Sequence, residues 1–375
     1  MLILLLIIVL ATPLINILTF YFLKKEVAQV QRVPAVWPKV AVLIACRNEK
    51  HTIANCIKAI QQLDYPAENI KIYVGNDDSE DNTLEVLKVI QATTPNLYIK
   101  DIKENWGLAR GKANVLAQLA QEVANWADYY FITDADIRVN PKWIKGLLQQ
   151  FSVHTGLVSG FTLPYGKGFW PSMQRLDWLL ALVWAKGYSL WPGVGSVLTA
   201  IGNNMVVSKA AYAATGGYER IPFSVTEDFE LKVQVEEKGY KARQVISPWV
   251  FAYTLPSKSF VELIRQRHRW MKGALQLPLN MVSLLLLQAL YFPALVFLLI
   301  KSWPWAAVAL LIKWISQYLL SWLVLKRVRI PDKLPLFPLY EVYSGLISII
   351  TLVYHLLPIP VQWKNRSYRQ SRTSL

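Results

Sequence analysis

The sequence is poor in cysteine, histidine and charge. Its only cysteines in 375 residues are Cys46 and Cys56. Neither a disulfide framework nor a four-thiolate metal site can be built from two. A reduced, cytoplasmic setting fits that scarcity. The four histidines (His51, His154, His268, His355) are scattered and read as surface or packing residues, not as a ligand cluster. Charged residues make up only 17% of the chain, against 54% hydrophobic, and the mean hydropathy is +0.27. An ordinary soluble domain is more polar than that, so membrane spans are expected. Acidic residues are the minority charge, 25 against 40 basic, for a formal net charge of +15. The basic residues form no arginine-rich arm or recognition module, which argues against a nucleic-acid binder. Several flank apolar stretches, as in Lys326-Arg327-Val328-Arg329 and Lys364-Asn365-Arg366. That placement suits anionic headgroups, and the same charge attracts phosphorylated substrates. No internal repeat, low-complexity tract or long linker is evident.

Residues 1–23 carry no charged side chain and end at Lys24-Lys25. The stretch is long enough to span a bilayer and lacks the basic start of a signal peptide, so it reads as a retained anchor with its lysines in the cytoplasm. Three later stretches are similar: 275–300, 302–325 apart from Lys313, and 336–357 apart from Glu341 and His355. Four spans with the N-terminus outside would put the basic tail, Lys364 to Arg372, outside too, against the positive-inside rule. One of the last segments is therefore expected to be re-entrant or interfacial. Residues 170–200, with Trp170, Trp178, Trp184 and Trp191, read either as an interfacial, acceptor-facing segment or as a packed helix.

Between these regions, short apolar runs alternate with helix-like stretches. Strands are expected at 40–45, 70–74, 97–99 and 129–133, and helices at 51–62, 82–92 and 109–124. Such alternation implies an α/β fold with a mainly parallel sheet covered on both faces. Ligands of such sheets bind beyond the carboxyl ends of the strands, and the polar clusters of this region start there.

Asp134-Ala135-Asp136 follows the run Tyr129 to Thr133. Two carboxylates at the end of a buried strand are costly unless something positive offsets them, and a divalent cation is the natural partner for hard oxygen ligands. Asn76-Asp77-Asp78-Ser79 follows the second strand, where a carboxylate can accept from a nucleobase or ribose; Ser79 and Asp81 can equally cap the next helix. Cys46-Arg47-Asn48-Glu49 follows the first strand and either faces the same base or makes a plain polar turn. Gly111-Lys112 opens a helix, a position that suits a phosphate. Thr226-Glu227-Asp228 opens another; Thr226 is a good N-cap, and Asp228 can act as a general base. Gln266-Arg267-His268-Arg269-Trp270 lies on an amphipathic stretch, as an interfacial anchor or as a diphosphate clamp through Arg269, with Trp270 against a sugar or an acceptor.

The ordered set of these clusters resembles the membrane-bound inverting glycosyltransferases of family 2: an Asp after the second strand, a DxD, a (T)ED and a QxxRW. Ceramide glucosyltransferases and processive cellulose- or hyaluronan-type synthases share these elements. The resemblance runs over about residues 38–275. It implies a GT-A fold, a nucleotide-sugar donor (most often a UDP-sugar), and Mg2+ or Mn2+ as cofactor. It gives Asn48, Glu49, Asp77, Lys112 and Asp134 to the nucleotide-sugar, with Asp78 as the alternative to Asp77. Asp136, with Asp134 the weaker candidate, falls to the metal. Asp228 becomes the base, with Glu227 and Arg269 beside it in catalysis, and Gln266, Arg269 and Trp270 line the donor and acceptor side. The usual Asp-Asp-Gly-Ser stands here as Asn76-Asp77-Asp78-Ser79.

The expected organisation is an anchor (1–23), a cytosolic catalytic domain (24–258), an interfacial helix (259–274), about three spanning or re-entrant segments (275–357) and a basic tail (358–375). So few spans do not make a monomeric polymer channel, and the tail Gln362-Trp363-Lys364-Asn365-Arg366 resembles that of lipid-modifying relatives. The favoured expectation is therefore transfer of one sugar to a membrane lipid at the cytoplasmic face by a multi-pass protein of the bacterial inner membrane or its equivalent. A processive synthase and a non-catalytic subunit binding nucleotide-sugar or lipid are the alternatives.

Overall fold

The computed structural model describes residues 1–26, 36–194, 196–274, 277, 279–330, 337–364 and 366–368. The chain falls into two compact units. An α/β unit takes Ala28–Leu163, Thr199–Leu255 and Gln362–Leu375; a helical unit takes Met1–Val27, Pro164–Leu198 and Pro256–Val361.

In chain order the strands are β1 (Val40–Cys46), β2 (Ile70–Asp77), β3 (Leu97–Ile102), β4 (Tyr129–Asp134), β5 (Arg138–Val139), β6 (Thr155–Ser159), β7 (Thr162–Pro164), β8 (Asn204–Ser208), β9 (Lys241–Gln244), β10 (Ala252–Thr254), β11 (Val361–Trp363) and β12 (Arg366–Tyr368). Seven of them form one sheet in the order β3-β2-β1-β4-β8-β6-β9. The strands β3, β2, β1 and β4 are mutually parallel, as near-continuous apolar runs alternating with helices require. Each crossover carries a helix. Ile53–Gln61 turns Ile53, Cys56, Ile57 and Ile60 into the core, the three-and-four spacing of one helical face. Thr83–Gln91 and Gly111–Val123 fill the next two crossovers.

The strands run further than their apolar cores. β2 continues through Gly75-Asn76-Asp77, because Cys46 pairs with Asn76 in the ladder. Backbone pairing is indifferent to side-chain polarity, so apolar runs understate strand length. One strand departs from the expected pattern. β8 is antiparallel to β4, with Thr133 opposite Asn204. The start of β8 therefore meets the end of β4, and the loop before it arrives at the same sheet edge as Asp134.

Behind that edge the core is closed by Trp143, which is fully buried and edge-on to Phe131 at 5.0 Å between ring centroids. Its indole N–H donates to Asn204 Oδ1 at 2.8 Å, and the Asn204 amide donates to the carbonyls of Phe161 (3.0 Å) and Val250 (2.9 Å). A buried amide satisfied in this way is rigid. A second, three-stranded sheet, β5-β10-β7, lies beyond the DxD turn.

Four helices of the other unit are long and apolar enough to cross a membrane: Leu2–Lys25, Met281–Lys301, Trp303–Val328 and Phe337–Leu356. The second is made of two shorter helices, Leu279–Ala289 and Tyr291–Lys301. Several polar groups inside the unit are paired, which a low-dielectric surrounding favours. Asn16 donates to Ser316 Oγ at 2.9 Å and accepts from the Trp184 indole at 2.6 Å. Lys313 forms a buried ion pair with Glu341. Glu26, just past the first helix, is held by Lys186 (2.6 Å) and Arg327 (2.9 Å). The Trp-rich segment is mostly the helix Phe169–Ser189, packed by Met173, Leu176, Leu179 and Val183. A Cβ on its Gly187 would lie 2.3 Å from Thr19 Cγ2, so the first helix packs its Thr19 side chain directly on the Gly187 backbone. Of the two readings of this segment, the packed helix is the one the contacts of Gly187 and Trp184 favour.

Candidate active site

Parallel pairing puts the carboxyl ends of β1, β2 and β4 side by side, with β1 in the middle. The loop after β1 therefore lies between Asp77 and Asp134. Arg47 organises it. Its side chain is almost wholly buried, and it donates from Nη1 to the carbonyls of Asp77 (2.7 Å) and Asp78 and from Nη2 to Glu80 Oε1 (2.7 Å). The two loops are also laced directly. The Asn48 amide N–H donates to Ser79 Oγ (3.1 Å), the Glu80 N–H to Asn48 Oδ1 (2.8 Å), and the Glu49 N–H to Thr83 Oγ1 (2.8 Å). Asn48 and Asp78 both take left-handed backbone, at φ +54° and +50°, a conformation that Asn and Asp tolerate better than other side-chain-bearing residues. Ser79 thus serves Asn48, while Asp81 Oδ1 accepts the Thr83 N–H at the start of the next helix. Asp77 is buried, whereas the side chain of Asp78 is largely exposed.

The DxD and ED motifs meet through one ammonium. Lys112 Nζ lies 2.6 Å from Asp134 Oδ1, 3.0 Å from Glu227 Oε1 and 3.2 Å from the Gly202 carbonyl. Burial would lower the lysine's pKa, but Asp134 and Glu227 outweigh it and hold the ammonium above its ordinary value. The three donors meet those three acceptors, so Lys112 bridges the DxD and ED motifs. A buried ammonium is stable only when so paired.

Asp228 sits in the first turn of the helix Glu227–Glu237. Its Oδ2 accepts the Gly202 N–H at 2.7 Å and its Oδ1 accepts the Phe229 N–H at 2.8 Å. Thr226 occupies the N-cap position, but its side chain makes no capping bond and pairs instead with Ser224 Oγ at 3.1 Å. Burial, and then the neighbouring Glu227, push the Asp228 carboxyl up to about 6, against the pull of Lys112 and the two amides. A carboxylate tuned to that range is suited to accept a proton near neutral pH.

Asp136 also rises to about 6, through burial first and then Asp134 and Glu49. Its Oδ2 accepts from Thr254 Oγ1 at 2.8 Å, because β10 pairs antiparallel with β5 beside the turn. Two carboxylates one residue apart, one of them with its charge opposed in this way, suit a divalent cation. Among the described residues no group of three or more His, Cys, Asp or Glu is arranged to hold a metal by itself. The donor set therefore fits a hard ion that takes one or two protein carboxylates and completes its shell with phosphate oxygens and water, the habit of Mg2+ sites.

The sequence gives no sign of Gly202 or Thr254 at this edge, shows Arg47 only as part of the polar cluster after the first strand, and suggests Lys364 and Arg366 only as headgroup contacts. The last two come from the C-terminal hairpin β11-β12. Arg366 Nη1 donates to both oxygens of Asp77, at 2.8 and 2.9 Å, and Nη2 lies 3.3 Å from Asp78 Oδ2. Lys364 Nζ lies 2.5 Å from Glu49 Oε1, and Arg47 Nε donates to the Lys364 carbonyl at 3.3 Å. Burial lowers the Lys364 pKa and Glu49 raises it more, with Asp136 and Asp134 adding to the rise. The visible signal was two cations spaced one residue apart after the last apolar stretch.

Gln266, Arg269 and Trp270 lie on the helix Phe260–Ala274 of the helical unit. There Trp270 is edge-on to Trp178 at 4.9 Å, with the Arg267 guanidinium 4.7 Å from its ring centroid. Arg267 is paired with Asp177, which also accepts from the Tyr340 hydroxyl at 3.2 Å.

Known proteins bear out the resemblance to glycosyltransferases. Over 243 residues the chain is 23% identical to beta-monoglucosyldiacylglycerol synthase of Synechocystis sp., covering 64% of this chain and 48% of that protein. Over 244 residues it is 26% identical to poly-beta-1,6-N-acetyl-D-glucosamine synthase of Staphylococcus aureus, covering 62% and 54%. The chain thus spans about half the length of the curated relatives it matches. Among solved structures, the mannosyltransferase PcManGT of Pyrobaculum calidifontis, in complex with GDP-Man and Mn2+, superimposes with a TM-score of 0.62 at 19% identity, over 95% of this chain and 97% of that one. The shared fold is the GT-A-like α/β sheet with added apolar helices. The profile of glycosyl transferase family 21 matches residues 4–374, nearly the whole sequence, and the chain belongs to that family.

Proposed function

We propose that this protein transfers a sugar, with inversion, from a nucleotide-sugar to a hydroxyl group of a membrane lipid at the cytoplasmic face. The observation that carries the reading is the Asp228 carboxylate, fixed by two backbone amides and linked through Gly202 and Lys112 to the DxD motif. In the reaction Asp228 takes the proton of the acceptor hydroxyl. The oxygen attacks the anomeric carbon, the bond from that carbon to the phosphate oxygen breaks, and the nucleoside diphosphate leaves. A divalent cation held by Asp136, with Asp134 beside it, supplies positive charge to the leaving group when bound. Lys112 sets a positive charge against Asp134 and Glu227 close to Asp228. Asp77 takes the base or ribose, with Asn48 and Glu49 on the adjoining loop. The roles of Gln266, Arg269 and Trp270 on the donor and acceptor side rest on the motif alone.

A UDP-sugar is the donor we favour from the motif set; the GDP-Man of PcManGT makes a GDP-sugar the competitor. The Synechocystis relative makes a glycolipid and favours a lipid acceptor. The Staphylococcus relative makes a polymer and favours the second reading, a processive synthase. Product size separates them: one added sugar per lipid, or a long chain.

The membrane arrangement follows from the tail. Lys364 and Arg366 are bonded to Glu49 and Asp77, so the tail and the sheet share one side of the bilayer. The chain between Thr254 and Val361 must then cross an even number of times, although that stretch holds three candidate spans. The helices Leu279–Ala289 and Tyr291–Lys301, eleven residues each, would each reach only about 16 Å at 1.5 Å per residue. That is about half the ~30 Å hydrocarbon core, and the pair is our choice for the re-entrant element.

Four measurements test these statements. Asp228→Asn should lower turnover by about 10²–10⁴-fold, the usual worth of a general base, while donor binding stays within about twofold. Because Asp228 must be ionised to act, parent turnover should fall as pH drops through about 6; an unaffected variant or a flat profile from pH 5 to 8 contradicts the assignment. At Gly202 a methyl group would lie 2.7 Å from both Cβ and Oδ2 of Asp228. Gly202→Ala should therefore cost roughly 10²-fold in turnover, as misplacing a catalytic group by about 1 Å does, with the unfolding midpoint nearly unchanged. Finally, Val36→Cys and Pro360→Cys should react with an impermeant maleimide from the same side of the membrane; labelling from opposite sides overturns the even count.

A further inference from the structure

We propose that the C-terminal hairpin completes the nucleotide site: Lys364 is a binding cation for the donor's diphosphate, and Arg366 is a positioning residue that fixes the Asp77 carboxylate. The inference rests on the proposed nucleotide-sugar reading and extends the site to a segment after the last apolar helix.

The hairpin is seated on the loops that carry the site. The buried Arg47, itself in the loop after β1, bonds the carbonyls of Asp77 and Asp78 and the carbonyl of Lys364. One guanidinium thus ties three chain segments together. The turn is tight, with Lys364 in left-handed backbone at φ +47°, and Val361 at the base of the hairpin is buried. A loose strap would not share its anchor with the loops it covers.

The two cations are suited to different tasks. Arg366 uses one N–H-bearing nitrogen on both oxygens of Asp77. This fixes the carboxylate plane while leaving lone pairs for a ligand N–H or hydroxyl. Lys364 is about one-third exposed. An ammonium has three donors, and Glu49 occupies one of them. Its charge acts on Asp134 and Asp136 as well as on Glu49, so it stands at the place where carboxylates, a cation and an anionic diphosphate would meet. The carboxylates of this edge outnumber the cations bonded to them, and an anionic donor needs such a cation close by. The chemical class recognised is a nucleoside diphosphate.

The test is calorimetric binding of UDP, or GDP if that is the nucleotide bound, to the full chain in detergent with Mn2+. Uridine or guanosine is measured by competition. Lys364→Met should weaken the diphosphate about tenfold to a hundredfold, the range of a charge-assisted hydrogen bond. It should leave the nucleoside within about twofold, and Lys364→Arg should recover most of the loss. Arg366→Ala should weaken nucleoside and diphosphate by the same factor, because it acts through Asp77. Unfolding midpoints close to the parent's show that the fold is intact. Diphosphate binding unchanged or tighter in Lys364→Met overturns the proposal, since the tail would then be a bystander or an obstruction. If the parent binds neither nucleotide, the functional reading itself falls, an outcome distinct from variants that bind as the parent does.

Discussion

The site depends on the ammonium of Lys112. Asp134 ends a strand, Glu227 opens a helix far along the chain, and Lys112 lies within 3.0 Å of both. Carboxylates gathered at one sheet edge repel one another and lose hydration; unpaired, each would cost several kcal/mol. The lysine relieves part of that cost, and its third acceptor, the Gly202 carbonyl, draws in the loop whose N–H holds Asp228. DxD, ED and the loop before β8 therefore form one electrostatic unit. What Lys112 leaves uncompensated lies at Asp136, on the side where a divalent cation and a diphosphate would bring balancing charge.

Much of this was readable in the residues. The run Tyr129 to Thr133 ending in two carboxylates gave β4 and its exposed edge, and the alternation of apolar runs with helix-like stretches gave the parallel half of the sheet. The reversal at β8 was not readable, because Asn204–Ser208 is as apolar and as short as a parallel strand would be; only its partner reveals its direction. With that reversal hidden, Gly202 could not be assigned, although its N–H holds Asp228. The helix-opening position of Lys112 suggested an anion partner, but its carboxylate neighbours, Asp134 and Glu227, come from long-range packing that position alone does not show. The tail had the right charges and no visible address.

The hairpin also changes the picture of the chain's ends. A basic stretch after the last apolar helix is usually read as a headgroup anchor. Here Lys364 and Arg366 are bonded to Glu49 and Asp77, so part of that positive charge belongs to the acidic edge of the sheet. The helical unit is consistent with a membrane setting, since its buried polar groups include Asn16 bonded to Ser316 and Lys313 paired with Glu341.

The central claim is a division of labour among carboxylates: Asp136 for the metal and Asp228 for the proton. Mn2+ titration followed by electron paramagnetic resonance, with UDP or GDP present, tests it most directly. The account predicts one bound Mn2+ in the parent and in Asp228→Asn, and binding weakened by at least about tenfold in Asp136→Asn. Equal Mn2+ binding in all three proteins, or loss of the ion on changing Asp228 alone, would contradict it.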